Sequence, residues 1–135
     1  MTMGEKLFEE KGKMTMTFVE SIDANGVVMK QSFNSDVMGS GKFPSGMNMG
    51  SGTIWIGMDD KAHGKWHGMM MTQDKETIVW NGSGHSKRNH GAFKGIMVIT
   101  FMTKAEKYAW MNSIILIKEI EGDMMEFKAS GYEWM

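Results

Sequence analysis

The sequence predicts an all-β fold: about eight antiparallel strands, joined as a meander and closed into a small barrel with little or no helix. Three observations lead there. Runs with alternating apolar residues, rich in β-branched and aromatic side chains, recur along the chain and are separated by short turn signals. No strand–helix–strand spacing interrupts them. The only helix-favouring stretch, Thr103 to Ala109, falls short of the ~12 residues at which isolated helices become marginal, so a loop or a single turn is expected there. With 135 residues, the chain suits one domain spanning 1–135. Closing the meander removes the exposed sheet edges that invite aggregation.

In order along the chain, Met14, Met16 and Phe18 alternate with Thr15 and Thr17, a strand with one apolar face. Asp23-Ala24-Asn25-Gly26 predicts a hairpin turn, and Val27 to Phe33 returns antiparallel. Asp36 to Gly52 is glycine-rich around the only proline, Pro44, and predicts a loop with a short strand near Val37. Thr53 to Met58 is strand-like, as are Trp66 to Thr72 and Thr77 to Trp80, with turns at Asp59–Gly64 and Gln73–Glu76. A glycine- and base-rich stretch, Asn81 to Gly91, precedes the strongly β run Ile96 to Met102. Trp110 to Ile120 predicts a long strand with both faces apolar, one lining the interior and one packing on a loop or a second subunit. Glu121-Gly122-Asp123 turns the chain into the last strand, Met124 to Trp134. Gly-Ser-Gly occurs at residues 39–41, 50–52 and 82–84, where bulges or sharp bends would help a barrel coil and close.

Composition narrows the function classes. Fifteen basic against sixteen acidic residues leave a net charge of -1, no field for nucleic acid. Without cysteine there are no disulfides and no thiolate metal sites. Residues 1–13 carry Glu5, Glu9 and Glu10 and no apolar run, so no membrane span or export signal is expected and a cytoplasmic location is the default. Methionine stands out, with 18 residues against two leucines, Leu7 and Leu116. The plain expectation is that it replaces leucine in the core; the sharper one is an adaptable ligand cavity or a soft-metal site.

Two stretches carry resemblances. Gly64-Lys65-Trp66-His67-Gly68-Met69-Met70-Met71, then Val79-Trp80-Asn81-Gly82-Ser83-Gly84 and Gly91-Ala92-Phe93-Lys94-Gly95, resemble the glycine pattern of the calycin-like allene oxide cyclase and dirigent barrels, a group that includes uncharacterised bacterial proteins. That resemblance covers roughly residues 50–100 and implies an eight-stranded barrel with an apolar interior, assembled as a dimer or trimer; it implies no particular activity. Trp66-x-x-Met69-x-Met71 is similar to the tryptophan and methionine spacing of the small periplasmic copper and silver chaperones, which implies Cu(I) under an indole. On a regular strand Trp66 faces away from His67, Met69 and Met71, so that site requires a bulge at Gly68.

The expected function is binding of a small apolar or amphipathic molecule inside the barrel, without cofactor. The residues expected to contact it are Trp55, Trp66, His67, Met69, Met71, Trp80, His85 and Trp110. One alternative is a cyclase or isomerase working on an apolar substrate in the same cavity, with Glu20, Asp36, His67, His85 and Tyr108 as candidate polar groups. Another is a Cu(I) or Ag(I) site of Trp66, His67, Met69 and Met71. The four histidines, His63, His67, His85 and His90, lack zinc-site spacing and are expected at the surface. Lys87-Arg88-Asn89-His90 predicts a solvated positive turn, or a contact for an anionic head group.

Overall fold

The computed structural model describes residues 3–135. Eight strands, β1 (Met3–Asp23), β2 (Gly26–Gly39), β3 (Gly46–Ile56), β4 (Lys61–Thr72), β5 (Thr77–Asn89), β6 (Ala92–Met102), β7 (Ile115–Gly122) and β8 (Glu126–Trp134), run in sequence order around a closed barrel. All neighbours are antiparallel, and β8 closes on β1 through pairs such as Glu10 with Ala129 and Gly12 with Phe127. A 3-10 helix, η1 (Glu106–Ser113), lies between β6 and β7.

Several strands exceed their sequence expectation. The stretch Asp36 to Gly52 is not mainly loop: β2 runs to Gly39 and β3 starts at Gly46. Asn81 to Asn89 continues β5, and residues 106–113, expected in part as strand, form η1 instead. The glycines hid these strands because they signal turns in a linear reading. Inside the barrel they serve as floor space for aromatic rings. A Cβ on Gly68 would stand 2.4 Å from Trp80 Cζ2, and one on Gly52 would stand 2.5 Å from Trp66 Cδ2. The register through β3, β4 and β5 is unbroken at these glycines, so they mark close approach and not bulges. The register shifts fall in β1, against β2 between Met14 and Met16 and between Val19 and Ser21, and against β8 between Met3 and Lys6 and between Lys6 and Phe8.

Up-and-down order gives the barrel two unlike ends. Tight turns at 24–25, 57–60, 90–91 and 123–125 gather at one end. The β5–β6 turn has positive φ at His90 and Gly91, the backbone needed for a two-residue hairpin. The opposite end receives the loop 40–45, the turn 73–76 and η1. There Phe43 stacks on Phe8 with ring centroids 4.8 Å apart and meets Phe101 and Trp110 edge-on. Tyr108 and Met111 of η1 are buried behind them, so this end is plugged. Tyr108 donates its hydroxyl to Asp74 at 2.9 Å, tying η1 to the 73–76 turn.

Methionine fills the core less than expected. Met29, Met70, Met97 and Met111 are buried, whereas ten others, from Met16 to Met135, are exposed. Aromatic rings do most of the filling: Phe33 packs edge-on against Trp66 and Phe127 at 5.7 and 5.3 Å.

Candidate functional site

Strand alternation sends every second side chain inward. From β1 and β7 this delivers Glu10 and Lys118, 1% and 2% exposed, into the middle of an aromatic interior. Each sits where parity places an apolar residue on either side: Glu10 follows Phe8 by two, and Lys118 lies between Leu116 and Ile120. A buried charge is tolerated only when paired and hydrogen-bonded, and this pair is. Lys118 Nζ is 2.7 Å from Glu10 Oε1. The other carboxylate oxygen accepts from Ser35 Oγ and, at 3.1 Å, from Asn48 Nδ2. Asn48 Oδ1 in turn accepts from Trp80 Nε1 at 2.7 Å. Burial alone would raise the Glu10 pKa; the Lys118 charge and the three hydrogen bonds outweigh it and hold the carboxyl below its ordinary value. The ammonium also lies 5.8, 5.9 and 5.7 Å from the rings of Phe33, Trp80 and Phe127, within cation–π range.

This polar layer divides the interior. Below it, toward the plug, only about 20 Å³ is free, between Phe8, Met70, Ile99 and Phe101. Above it, toward the hairpin turns, a cavity of about 70 Å³ opens, with Lys118, Phe33, Trp66, Trp80 and Phe127 at its base. Arg88 and Phe93 line this cavity, as do Asp123 and Met124 from the β7–β8 turn. Two larger, more open concavities are lined by lysines and glutamates, and one of them shares Arg88, Phe93, Asp123 and Phe127 with the cavity. Charges there pair with each other, as Lys128 does with Glu121 at 3.2 Å.

Arg88 is the exception in an otherwise satisfied interior. Its Nε is, among the described residues, the one buried side-chain nitrogen or oxygen without a hydrogen-bond partner. No ion pair of the described residues includes it. Asp123, which lines the same cavity, is committed to its own turn, accepting from the backbone amides of Met125 and Glu126 at 2.8 and 3.0 Å. Burial pushes the guanidinium pKa below its ordinary value, and Phe93 lies under it with the guanidinium carbon 5.8 Å from the ring centre.

Of the expected contact residues, Trp66, Trp80 and His85 border this cavity. Trp55, His67, Met69, Met71 and Trp110 do not line it. Trp55, His63 and His85 form an outward row across β3, β4 and β5, with Trp55 stacked on His63 at 4.9 Å and the two imidazoles 6.0 Å apart. His67, Met69 and Met71 also point outward, opposite in parity to the inward Trp66 and Met70. Since β4 keeps its register through Gly68 with both neighbours, no bulge turns the Trp66 indole over them, and the indole-capped metal site is not formed. Trp110 belongs to the plug, with Lys42 Nζ 4.1 Å from its ring.

Of the expected catalytic groups, His85 alone borders the cavity, from an outward strand position. Glu20 and Asp36 are exposed strand residues, His67 and His85 face outward, and Tyr108 serves the plug. The pair in the interior, Glu10 and Lys118, was missed, as was the inward direction of Arg88. Of the Lys87–His90 stretch, residues 87–89 end β5, with Lys87 facing out and Arg88 in, and His90 lies in the following turn. The parity of Trp80, Gly82, Gly84 and Ser86, carried on two more residues, was the available signal.

Fold and interior together define a class: a small closed β-barrel, plugged at one end, with an aromatic cup over a buried ion pair at the other. No protein-family model matches the chain, and no curated protein matches it. Solved structures do. A protein of unknown function from Clostridium acetobutylicum ATCC 824 superposes with TM-score 0.83 at 16% identity over 100% of both chains. A β-barrel-like protein from Acinetobacter baumannii AYE gives TM-score 0.85 at 11% identity, covering 98% of this chain and 94% of that one. An enzyme from Penicillium herquei gives 0.75 at 16% identity, covering 96% and 92%. These likenesses establish the barrel architecture and nothing finer; none carries the allene oxide cyclase name.

Proposed function

We propose that the barrel binds a small amphipathic anion, with its apolar or aromatic part in the cup and its carboxylate, or a similar acceptor, on Arg88. The unpartnered Arg88 Nε carries this reading. A buried donor left unmade costs about 1–3 kcal/mol, more when charged, and arginine matches planar anions in two-point contacts. The aromatic walls supply the apolar complement. A cavity of about 70 Å³ is far below the ~300–1,000 Å³ that encloses a drug-sized ligand. The bound molecule is therefore short, or enters only by its narrow end.

Titrations with benzoate and hexanoate, followed by tryptophan emission, test this, because Trp66 and Trp80 border the cup. Benzyl alcohol serves as the uncharged comparison. Binding of the anions should weaken about tenfold or more in Arg88→Met, the range that a charge-assisted hydrogen bond of ~1.5–3 kcal/mol implies. Equal binding by the variant, or no binding of either anion by the native protein, would remove the proposal.

A second reading, catalysis in the cup, is favoured by the position of Lys118 at its base. An ammonium in a dry site can stabilise a developing oxyanion, with Glu10 as its counter-charge. It predicts that a molecule which binds is also converted, visibly in its proton NMR spectrum, and that Lys118→Met stops conversion. Bound molecules recovered unchanged would leave binding alone.

A further inference from the structure

The outward-facing methionines, of which Met69 is half-buried, are not scattered evenly. Residues 47, 49, 69 and 71 share the outer face of β3 and β4, and the register sets Met47 directly opposite Met71 and Met49 directly opposite Met69. Facing residues on neighbouring strands have Cβ atoms about 4.5–5.5 Å apart, and residues two apart on one strand are separated by about 6.6 Å. The four side chains therefore occupy the corners of a small rectangle. Each has three rotatable bonds, enough for its sulfur to reach the centre.

Packing does not account for the array. Met47, Met49 and Met71 are 54%, 44% and 51% exposed, and strand surfaces favour β-branched residues over methionine. The same outer face on β6 follows that preference with Ile96 and Val98. The outward neighbours on the flanking strands are Asn34 and Asp36 of β2 and Thr77 and Val79 of β5: one carboxylate and no base. His67, next outward on β4, lies against Ser51, with Nε2 3.3 Å from the hydroxyl. Thioethers are soft, uncharged ligands that select Cu(I) over hard divalent ions.

We propose that Met47, Met49, Met69 and Met71 form a surface site for one soft monovalent metal ion, Cu(I) or Ag(I). The site is distinct from the cup, whose lining lies on the opposite face of the same strands. It also differs from the arrangement expected from sequence: Trp66 takes no part, and two ligands come from β3, which no spacing within β4 could disclose.

Silver nitrate titration of the full chain, labelled with ¹³C at the methionine methyls, provides the test. One equivalent should shift four methyl resonances together and leave the other methionines in place. Replacing all four by leucine keeps apolar bulk on an already exposed face; this variant should hold its circular dichroism spectrum and bind silver at least 100-fold more weakly. A control with Met38, Met58, Met124 and Met125 changed to leucine should bind as the native protein does. Uniform shifts over all exposed methionines, no saturation at one equivalent, or unchanged affinity in the four-site variant would each overturn the proposal.

Discussion

The two ends of this barrel are built from the same kinds of strand and differ in what they leave unfinished. At the plugged end Phe43, Phe8, Phe101 and Trp110 interlock. Asp74 there accepts from Tyr108, Thr72 and Lys107, and the Thr103 amide donates to Asn112 Oδ1 at 2.7 Å. At the hairpin end the turns are short, a cavity remains, and the buried Nε of Arg88 in its wall is left unpaired. Polar groups are matched at the plugged end, and at the hairpin end one is left over. Between them the Glu10–Lys118 layer belongs to both, as support for the plug side and base of the cup.

The largest expected effect comes from breaking that layer. Lys118→Met strands Glu10 in a site where it is 1% exposed, and removing one partner of a buried pair costs about 3–5 kcal/mol. Urea denaturation should show this loss, and adding Glu10→Gln should restore part of it. If the single variant is as stable as the native chain, the layer is not structural.

Phe43→Ala strikes the plugged end alone. It should cost about 3 kcal/mol or slightly more, the low part of the range for a buried phenylalanine, without changing anion binding in the cup. A comparable change of affinity would show that the two ends are coupled.

Gly68→Ala tests the floor on which Trp80 rests. The added methyl would sit 2.4 Å from both Trp80 Cζ2 and the Met49 carbonyl oxygen, and overpacking of this kind costs about 1–3 kcal/mol. Thermal melts would register it, and native-like stability would mean that both the indole and the β3 backbone give way freely.

The opposite outcome is expected at the hairpin end. Arg88→Met removes an unmatched charge, so stability should hold or rise by up to about 1 kcal/mol while the anion is lost. A clear loss of stability would mean that Arg88 supports the fold instead of serving a ligand.

Acid sharpens the same contrast. The folded-state Glu10 pKa is depressed, and Asp74 and Asp123 are held below the ordinary aspartate value, Asp74 chiefly by Lys107 and Asp123 by backbone amides. The stability these groups contribute is present above their unfolded pKa values, about 4, and is lost as pH falls through the lower folded values. Stability measured from pH 6 to 3 should therefore fall in the acid part of the range, less steeply in Glu10→Gln. A flat profile would contradict the depressed Glu10 value.

Much of the wall was legible. The turns at Asn25-Gly26 and Glu121-Gly122-Asp123, and the strands around Val27, Ile54, Ile78 and Ile99, follow from alternation and turn chemistry. Less legible were β2 beyond Phe33, the first half of β3 and the second half of β5, because interior glycines look like turn signals when the rings above them are unknown. Of the residues expected to contact a ligand, few line the cavity. Trp66 and Trp80 have inward parity, but His67, Met69, Met71, His85 and Trp55 were chosen for residue type although alternation places them outside.

What the sequence determined by itself was local: which stretches alternate, where the chain turns, and that antiparallel strands without crossover helices close on themselves. Pairing across strands was decided only by the tertiary structure, since register depends on how all eight strands share one interior. Glu10 meets Lys118 across more than one hundred residues of chain, and Met47 meets Met71 across the β3–β4 hairpin. Such neighbours arise from closure and packing, and a one-residue slip would exchange every inward side chain for an outward one.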